Sequence, residues 1–200
     1  IFMAQESSIQ IINTEDPETL ATVDTVWLEG DPECLLLAGD FLYATIIDTT
    51  VIVKLDVSDP ENVTRLTDID IYDETSDADA KVQYLSADNG YLYVSLAPGS
   101  GPWYFAVVKI SSSGSDEIIT ALGGSENRTC GDIEGVGDFL FLSNSTEPTI
   151  AMFNIADKEN PFYEATFSDG DCDFSIWGRY VYQHLNAVDE EVNRYDLLGD

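Results

Sequence analysis

The sequence predicts an all-β fold, a β-propeller of four-stranded antiparallel blades, with about five blades covered and the first and last incomplete. Three observations carry that expectation: a repeat of 40 to 50 residues, period-two apolar patterning inside each repeat, and turn residues recurring at matching places. The clearest repeat runs from Phe41 to Ile71. Phe41–Ile47 is aromatic and β-branched with no helical period, and Val51, Val53, Leu55 and Val57 fall on one face, as in a strand. Asp48-Thr49-Thr50 between these runs suits a tight turn. Ser58-Asp59-Pro60-Glu61-Asn62 ends the second run, because proline has no amide proton to give to a ladder. A weaker, polar strand is expected over Val63–Ile71, and a short apolar strand over Cys34–Ala38, closed by the turn pair Gly39-Asp40.

The same pattern recurs along the chain. The second strand of the unit reads IFMAQ at Ile1, FLYAT at Phe41, YLYVS at Tyr91, FLFLS at Phe139 and YVYQH at Tyr180. Turn pairs precede the last four: Gly39-Asp40, Asn89-Gly90, Gly137-Asp138 and Gly178-Arg179. The third strand recurs as IQIINT, VIVKLDV, YFAVVKI, TIAMFNI and EVNRYDL, and its closing turn as EDPE, SDPEN and ADKENP. One four-stranded sheet cannot cover both of its own faces, so such units must stack on neighbours. Radial blades answer that need. Two facing sheets in a sandwich remain the alternative, because sandwiches share the turn spacing. The expected blades cover about 1–24, 25–72, 81–122, 130–167 and 168–200, in one domain or part of a larger propeller. The chain reads as a piece of a longer protein, because its first repeat opens on a second strand and its last stops after a third.

The units resemble the LVIVD-type repeats of secreted and surface β-propellers. Gly39-Asp40-Phe41-Leu42-Tyr43-Ala44 and Leu55-Asp56-Val57-Ser58-Asp59-Pro60-Glu61-Asn62 carry the resemblance, and Ala156-Asp157-Lys158-Glu159-Asn160-Pro161 repeats it. The resemblance implies a propeller at the cell surface or outside the cell. It implies no particular reaction, because one fold hosts many activities.

Charge narrows the partners. With 38 acidic and 8 basic residues, the net charge is −30. Nucleic acid is excluded as a partner, because its phosphates need lysine and arginine. Anionic membrane surfaces are disfavoured for the same reason, and no apolar run has the length of a membrane span. Cationic partners, metal ions or a saline habitat fit this charge. Loops leading into the innermost strands are acidic throughout: Glu29, Asp31 and Glu33; Asp73, Glu74, Asp77 and Asp79; Asp132 and Glu134; Asp169, Asp171 and Asp173. In a propeller these loops share one mouth. Asp169-Gly170-Asp171-Cys172-Asp173 is the candidate calcium site, since hard cations take several oxygen ligands. The competing reading is solvated loop acids.

Cys34, Cys130 and Cys172 occupy similar repeat positions, and a Cys130–Cys172 disulfide is the candidate pairing in an oxidising compartment. Three small buried apolar residues are the alternative. Asn62, Asn127 and Asn144 open acceptor sequons, expected in loops and glycosylated if the protein is exported. Trp103, beside a Pro/Gly/Ser-rich hairpin, is the candidate ligand or partner contact. His184, the sole histidine, is expected in a strand as a structural residue, and no GxSxG or glycine-rich phosphate loop is present. The favoured function is a non-catalytic extracellular or surface module that binds protein partners or assembles with itself. A metal-dependent enzyme or carbohydrate-binding propeller, using the acidic mouth, is the alternative.

Overall fold

The computed structural model describes residues 1–14, 18, 20–72, 81–97, 102–112, 115–127, 130–144, 149–168, 174–178, 180–184 and 192–197. Among these the chain forms nineteen β-strands in five antiparallel sheets. It divides into two compact units, Ile1–Gln83 and Tyr84–Asp200.

The first unit holds two sheets. Sheet 1 is β1 (Phe2–Gln5), β2 (Ser8–Asn13) and β3 (Ala21–Trp27), in that order. Sheet 2 follows the repeat that defined the pattern: β4 (Pro32–Ala38), β5 (Phe41–Ile46) and β6 (Val51–Asp56), in sequence order. The weak fourth strand expected over Val63–Ile71 is two short pieces, β7 (Thr64–Arg65) and β8 (Ile69–Asp70), both paired to β6. Arg65, at the end of β7, pairs with Asp68 in the stretch between the two pieces.

The second unit carries most of sheet 3 and all of sheets 4 and 5. Sheet 3 is β9 (Lys81–Asp88), β10 (Tyr91–Ala97), β11 (Pro102–Lys109) and β12 (Glu117–Asn127). Sheet 4 is β13 (Cys130–Val136), β14 (Phe139–Asn144), β15 (Thr149–Asn154) and β16 (Phe162–Ser168). Sheet 5 is β17 (Phe174–Trp177), β18 (Tyr180–His184) and β19 (Val192–Asp196). The turn pairs Gly39-Asp40, Asn89-Gly90 and Gly137-Asp138 stand where the sequence places them. Asn89 and Gly90 both have positive φ (50° and 82°), the backbone that a two-residue turn between twisted strands requires. Two expected blade limits move: β3 runs on to Trp27, and β12 runs on to Asn127, because each keeps its ladder with the strand before it.

Within each unit, one face of a sheet packs on the opposite face of the next. Tyr93, Phe105 and Val107 of sheet 3 meet Ile133, Leu140, Leu142, Ala151 and Phe153 of sheet 4. The other face of sheet 4, with Phe141 and Ile150, meets Phe174 and Val181 of sheet 5. In the first unit, Phe2 and Ile9 of sheet 1 meet Leu42, Ala44, Val53 and Leu55 of sheet 2.

That last junction corrects the alignment of the first repeat. Matching IFMAQ to FLYAT equates Ile1 with Phe41. The ladders instead pair Phe2 with Ile11 and Tyr43 with Lys54, and the shared Asp-Pro turn equates Ile11 with Lys54. Phe2 is therefore the counterpart of Tyr43 and Tyr93. A slip of one residue reverses which side chains are buried, and Phe2 and Ile9, not Met3, face the core.

Candidate functional site

The links between sheets are built from polar residues at fixed repeat positions. The fifth residue of the second strand is a small hydroxyl in three repeats, Thr45, Ser95 and Ser143, each buried at the end of an apolar run. The β4–β5 register shifts between Pro32 and Leu35, which draws the Cys34 N–H out of the ladder. That N–H donates to Thr45 Oγ1 at 3.0 Å, and the Thr45 hydroxyl donates onward to the Gln83 carbonyl at 3.0 Å. Ser95 Oγ accepts the Tyr84 N–H at 3.0 Å in the same way. In sheet 4 the hydroxyl of Ser143 is buried with no partner among the described residues, and a Cβ added at Gly131 would lie 2.5 Å from it. The motif was visible in the sequence as FLYAT, YLYVS and FLFLS, where a small polar residue ends three apolar strands. His184 ends β18, opposite Val192.

A second position ties neighbouring innermost strands together. Ser86 Oγ accepts the Gly135 N–H at 3.1 Å, and Asp88 Oδ2 accepts the Gly137 N–H at 2.9 Å. One sheet further on, Glu134 Oε2 accepts the Ile176 N–H at 3.1 Å. Burial pushes the Glu134 carboxyl above its ordinary value, the Ile176 hydrogen bond works against that, and Asp132 adds to it. Gly135 is needed here for space. Its missing Cβ would stand 2.4 Å from the Tyr93 ring.

Among the described residues, three cations stand over aromatic rings. Lys54, only 2% exposed, has its ammonium 4.2 Å from the Phe41 ring centroid and 5.7 Å from that of Tyr43. Arg194 lies 4.8 Å from the Tyr180 ring at the equivalent ladder position. In sheet 3 that position is Val107, and the cation comes from the next sheet: Lys158 sits 5.5 Å from Tyr91 and 5.6 Å from Tyr93. Burial lowers the Lys158 ammonium, while Asp138 and Asp88 act in the opposite direction. Burial, chiefly, pushes the Tyr93 phenol upward, and its hydroxyl has no hydrogen-bond partner among the described residues. Ring–cation contacts of this kind contribute about 0.5–2 kcal/mol, more as they are desolvated.

Asp169, Asp171, Cys172 and Asp173 lie outside the described residues, so the candidate calcium loop and the Cys130–Cys172 pairing do as well. Cys130 opens β13, opposite Asn144. Trp103 falls in β11. Of the three sequon asparagines expected in loops, only Asn62 is in one, exposed in the turn after β6. Asn127 is the last residue of β12 and Asn144 the last of β14, because both ladders extend further than the polar composition suggests. Of the acidic loop residues, Asp31 accepts a hydrogen bond from the Ser7 hydroxyl at 3.0 Å, and the Glu33 carboxyl is raised by burial and by Asp48. Among the described residues, no group of three or more His, Cys, Asp or Glu side chains is placed to hold a metal ion.

Large apolar side chains stand at the surface. Trp27 and Trp177 are 74% and 79% exposed, and the adjacent Phe162 and Tyr163 of β16 are 55% and 56% exposed. The Tyr163 ring meets Phe153 edge-on at 5.9 Å, and its hydroxyl shares a 2.6 Å hydrogen bond with Thr166.

No family model matches the chain, and no curated protein matches it in sequence. Solved structures do. A Lactobacillus plantarum protein superposes with a TM-score of 0.78 at 16% identity, over 98% of this chain and 63% of that one. A putative 6-phosphogluconolactonase from Bacteroides uniformis gives 0.74 at 15% identity, over 98% and 66%. The β-propeller domain of Myceliophteria thermophila Cps50 (Swd1) gives 0.67 at 14% identity, over 98% and 66%. The chain thus spans about two thirds of the length of these structures or slightly less. Likeness at this identity defines the fold class, and the class is the β-propeller.

Proposed function

We propose that the chain is a non-catalytic β-propeller module of the LVIVD-repeat kind, working outside the cell or at its surface through protein partners or further copies of itself. The distribution of charge carries this reading. Lys54, Lys158 and Arg194 are committed to aromatic rings, Arg65 is paired with Asp68, and the Lys81 ammonium donates to the Asp48 carbonyl at 2.8 Å. These five cations thus serve the fold, while acids such as Glu29, Asp59, Glu61, Glu159 and Glu164 face solvent. Such a surface steers positively charged partners towards it. Glycans on Asn62, Asn127 and Asn144 and a Cys130–Cys172 disulfide belong to the same reading. Intact mass before and after deglycosylation and reduction tests both. Light scattering on the purified protein tests self-assembly: a monomer at both low and high salt overturns that part of the proposal.

The second reading is an enzyme or sugar-binding propeller with calcium at Asp169, Asp171 and Asp173. The similarity to putative 6-phosphogluconolactonases of Bacteroides favours it. Against it stands the charge, since a phosphorylated sugar needs cationic donors and this chain has 8 basic residues to 38 acidic ones. Melting with and without a chelator separates the two readings, because an ion that binds only the folded state raises the midpoint. A drop on chelation supports the metal reading.

A further inference from the structure

We propose that the outer edge of sheet 4, strand β16, docks an extended, arginine-containing segment of a partner protein, with Phe162 and Tyr163 as its aromatic anchors. The inference rests on the protein-interaction reading and gives it a place and a chemistry.

Among the described residues, β16 is the last strand of its sheet and pairs only with β15, so one row of its backbone groups points away from the ladder. Such an edge is a ready template for another extended chain. The β15–β16 register shifts between Met152, opposite Ala165, and Phe153, opposite Tyr163, which makes Glu164 a bulged residue. The bulge leaves Ala165–Ser168 as the regular stretch for pairing and sets the aromatic residues beside its entrance.

Phe162 and Tyr163 are neighbours on a strand, opposite Asn154 and Phe153 respectively, and more than half of each remains exposed. Isolated apolar residues at a surface are ordinary, whereas these two, on opposite faces of the sheet beside one edge, can each hold a side chain of an added strand, whose own side chains alternate in the same way. Glu159 and Glu164 flank the pair, and both are exposed. The nearest cation in sequence, Lys158, is turned inward onto the Tyr91 and Tyr93 rings. The rim therefore presents ring faces and carboxylates, with its own lysine withdrawn. A guanidinium complements both: it stacks on a ring and pairs with a carboxylate in one geometry. The chain already makes that contact internally between Arg194 and Tyr180.

Fluorescence anisotropy with two short labelled peptides tests this, one alternating arginine with valine, the other alternating arginine with serine at the same charge. The arginine–valine probe should bind at least about tenfold more tightly, the scale of a few anchoring contacts. The double substitution Phe162→Ser, Tyr163→Ser should bring its affinity down to that of the arginine–serine probe. Glu159→Gln with Glu164→Gln should weaken both probes and flatten their salt dependence. The serine variant also loses the Tyr163 contact with Phe153, so its melting midpoint should fall somewhat, while circular dichroism at the binding temperature should match the parent protein. Phe162→Leu with Tyr163→Leu, which keeps apolar area but removes ring faces, should show an intermediate loss. Arginine–valine binding that survives the serine substitutions overturns this site while leaving an acidic interaction surface elsewhere. Failure of the parent protein to bind either probe overturns the site and the cationic-partner reading together.

Discussion

Gly135→Ala tests the packing between sheets 3 and 4 at its tightest point. The added methyl would stand 2.4 Å from Tyr93 Cε2, 2.5 Å from Cδ2 and 3.2 Å from Cζ. Ordinary carbon contacts are about 3.5–4.0 Å, so the ring and the strand must separate by roughly 1 Å. Tyr93 has little room to yield, being fully buried in the cluster with Phe105, Val107, Leu140 and Leu142. The strand is tethered as well, by the Gly135 N–H on Ser86 at 3.1 Å and the Gly137 N–H on Asp88 at 2.9 Å. Overpacking costs about 1–3 kcal/mol, and stretching one tether adds up to about 1 kcal/mol. Restricting the unfolded chain returns about 0.5–1 kcal/mol. The net expectation is a loss of about 2 kcal/mol, or roughly 4–8 °C in melting midpoint for a chain of this size. Thermal denaturation followed by circular dichroism measures it. Combining the change with Tyr93→Leu should cost less than the sum of the single changes by about 1 kcal/mol or more, since the leucine vacates the space. A Gly135→Ala protein as stable as the parent, or strict additivity with Tyr93→Leu, would refute the argument.

Other expectations follow from the same contacts. Tyr93→Phe removes a buried hydroxyl that has no partner among the described residues, and should raise stability by about 1 kcal/mol in urea denaturation. Thr45→Val keeps the shape of the side chain but strands the Cys34 N–H and the Gln83 carbonyl. It should cost about 2–3 kcal/mol and accelerate hydrogen exchange at the Cys34 amide. Glu134 has a folded pKa above its unfolded value of 4.5, so its charged form opposes folding. The penalty is absent below the unfolded pKa and grows as pH rises from there through the folded value. Glu134→Gln retains an acceptor for the Ile176 N–H, so it should stabilise at neutral pH, and the gain should vanish in acid, as read from melting across pH. Asp157 and Asp56 behave oppositely. Their hydrogen bonds in the turns after the third strands lower their pKa, so their contribution is full above 3.8 and fades as pH falls through the lowered value.

The sequence by itself determined the strands, their antiparallel order and their repeat. Alternation inside a strand, proline after it and glycine between strands are local properties, and they read the same before and after folding. It also displayed the hydroxyl that ends FLYAT, YLYVS and FLFLS, though the bonds of Thr45 and Ser95 to N–H groups of the preceding strand become apparent only with the strands side by side. The phase of the first repeat was different. IFMAQ aligns with FLYAT by residue type, yet Phe2 takes the place of Tyr43, because burial against Leu42 and Val53 decides which face turns inward. The close approach of Gly135 to Tyr93 left no local trace, since the two residues lie 42 positions apart and meet only when sheets stack. The same holds for Lys158, a residue of a turn whose charge rests on the rings of the preceding sheet. Charge totals are fixed by composition, but which cations remain for a partner is settled by tertiary packing, because a lysine seated on an aromatic face is already used.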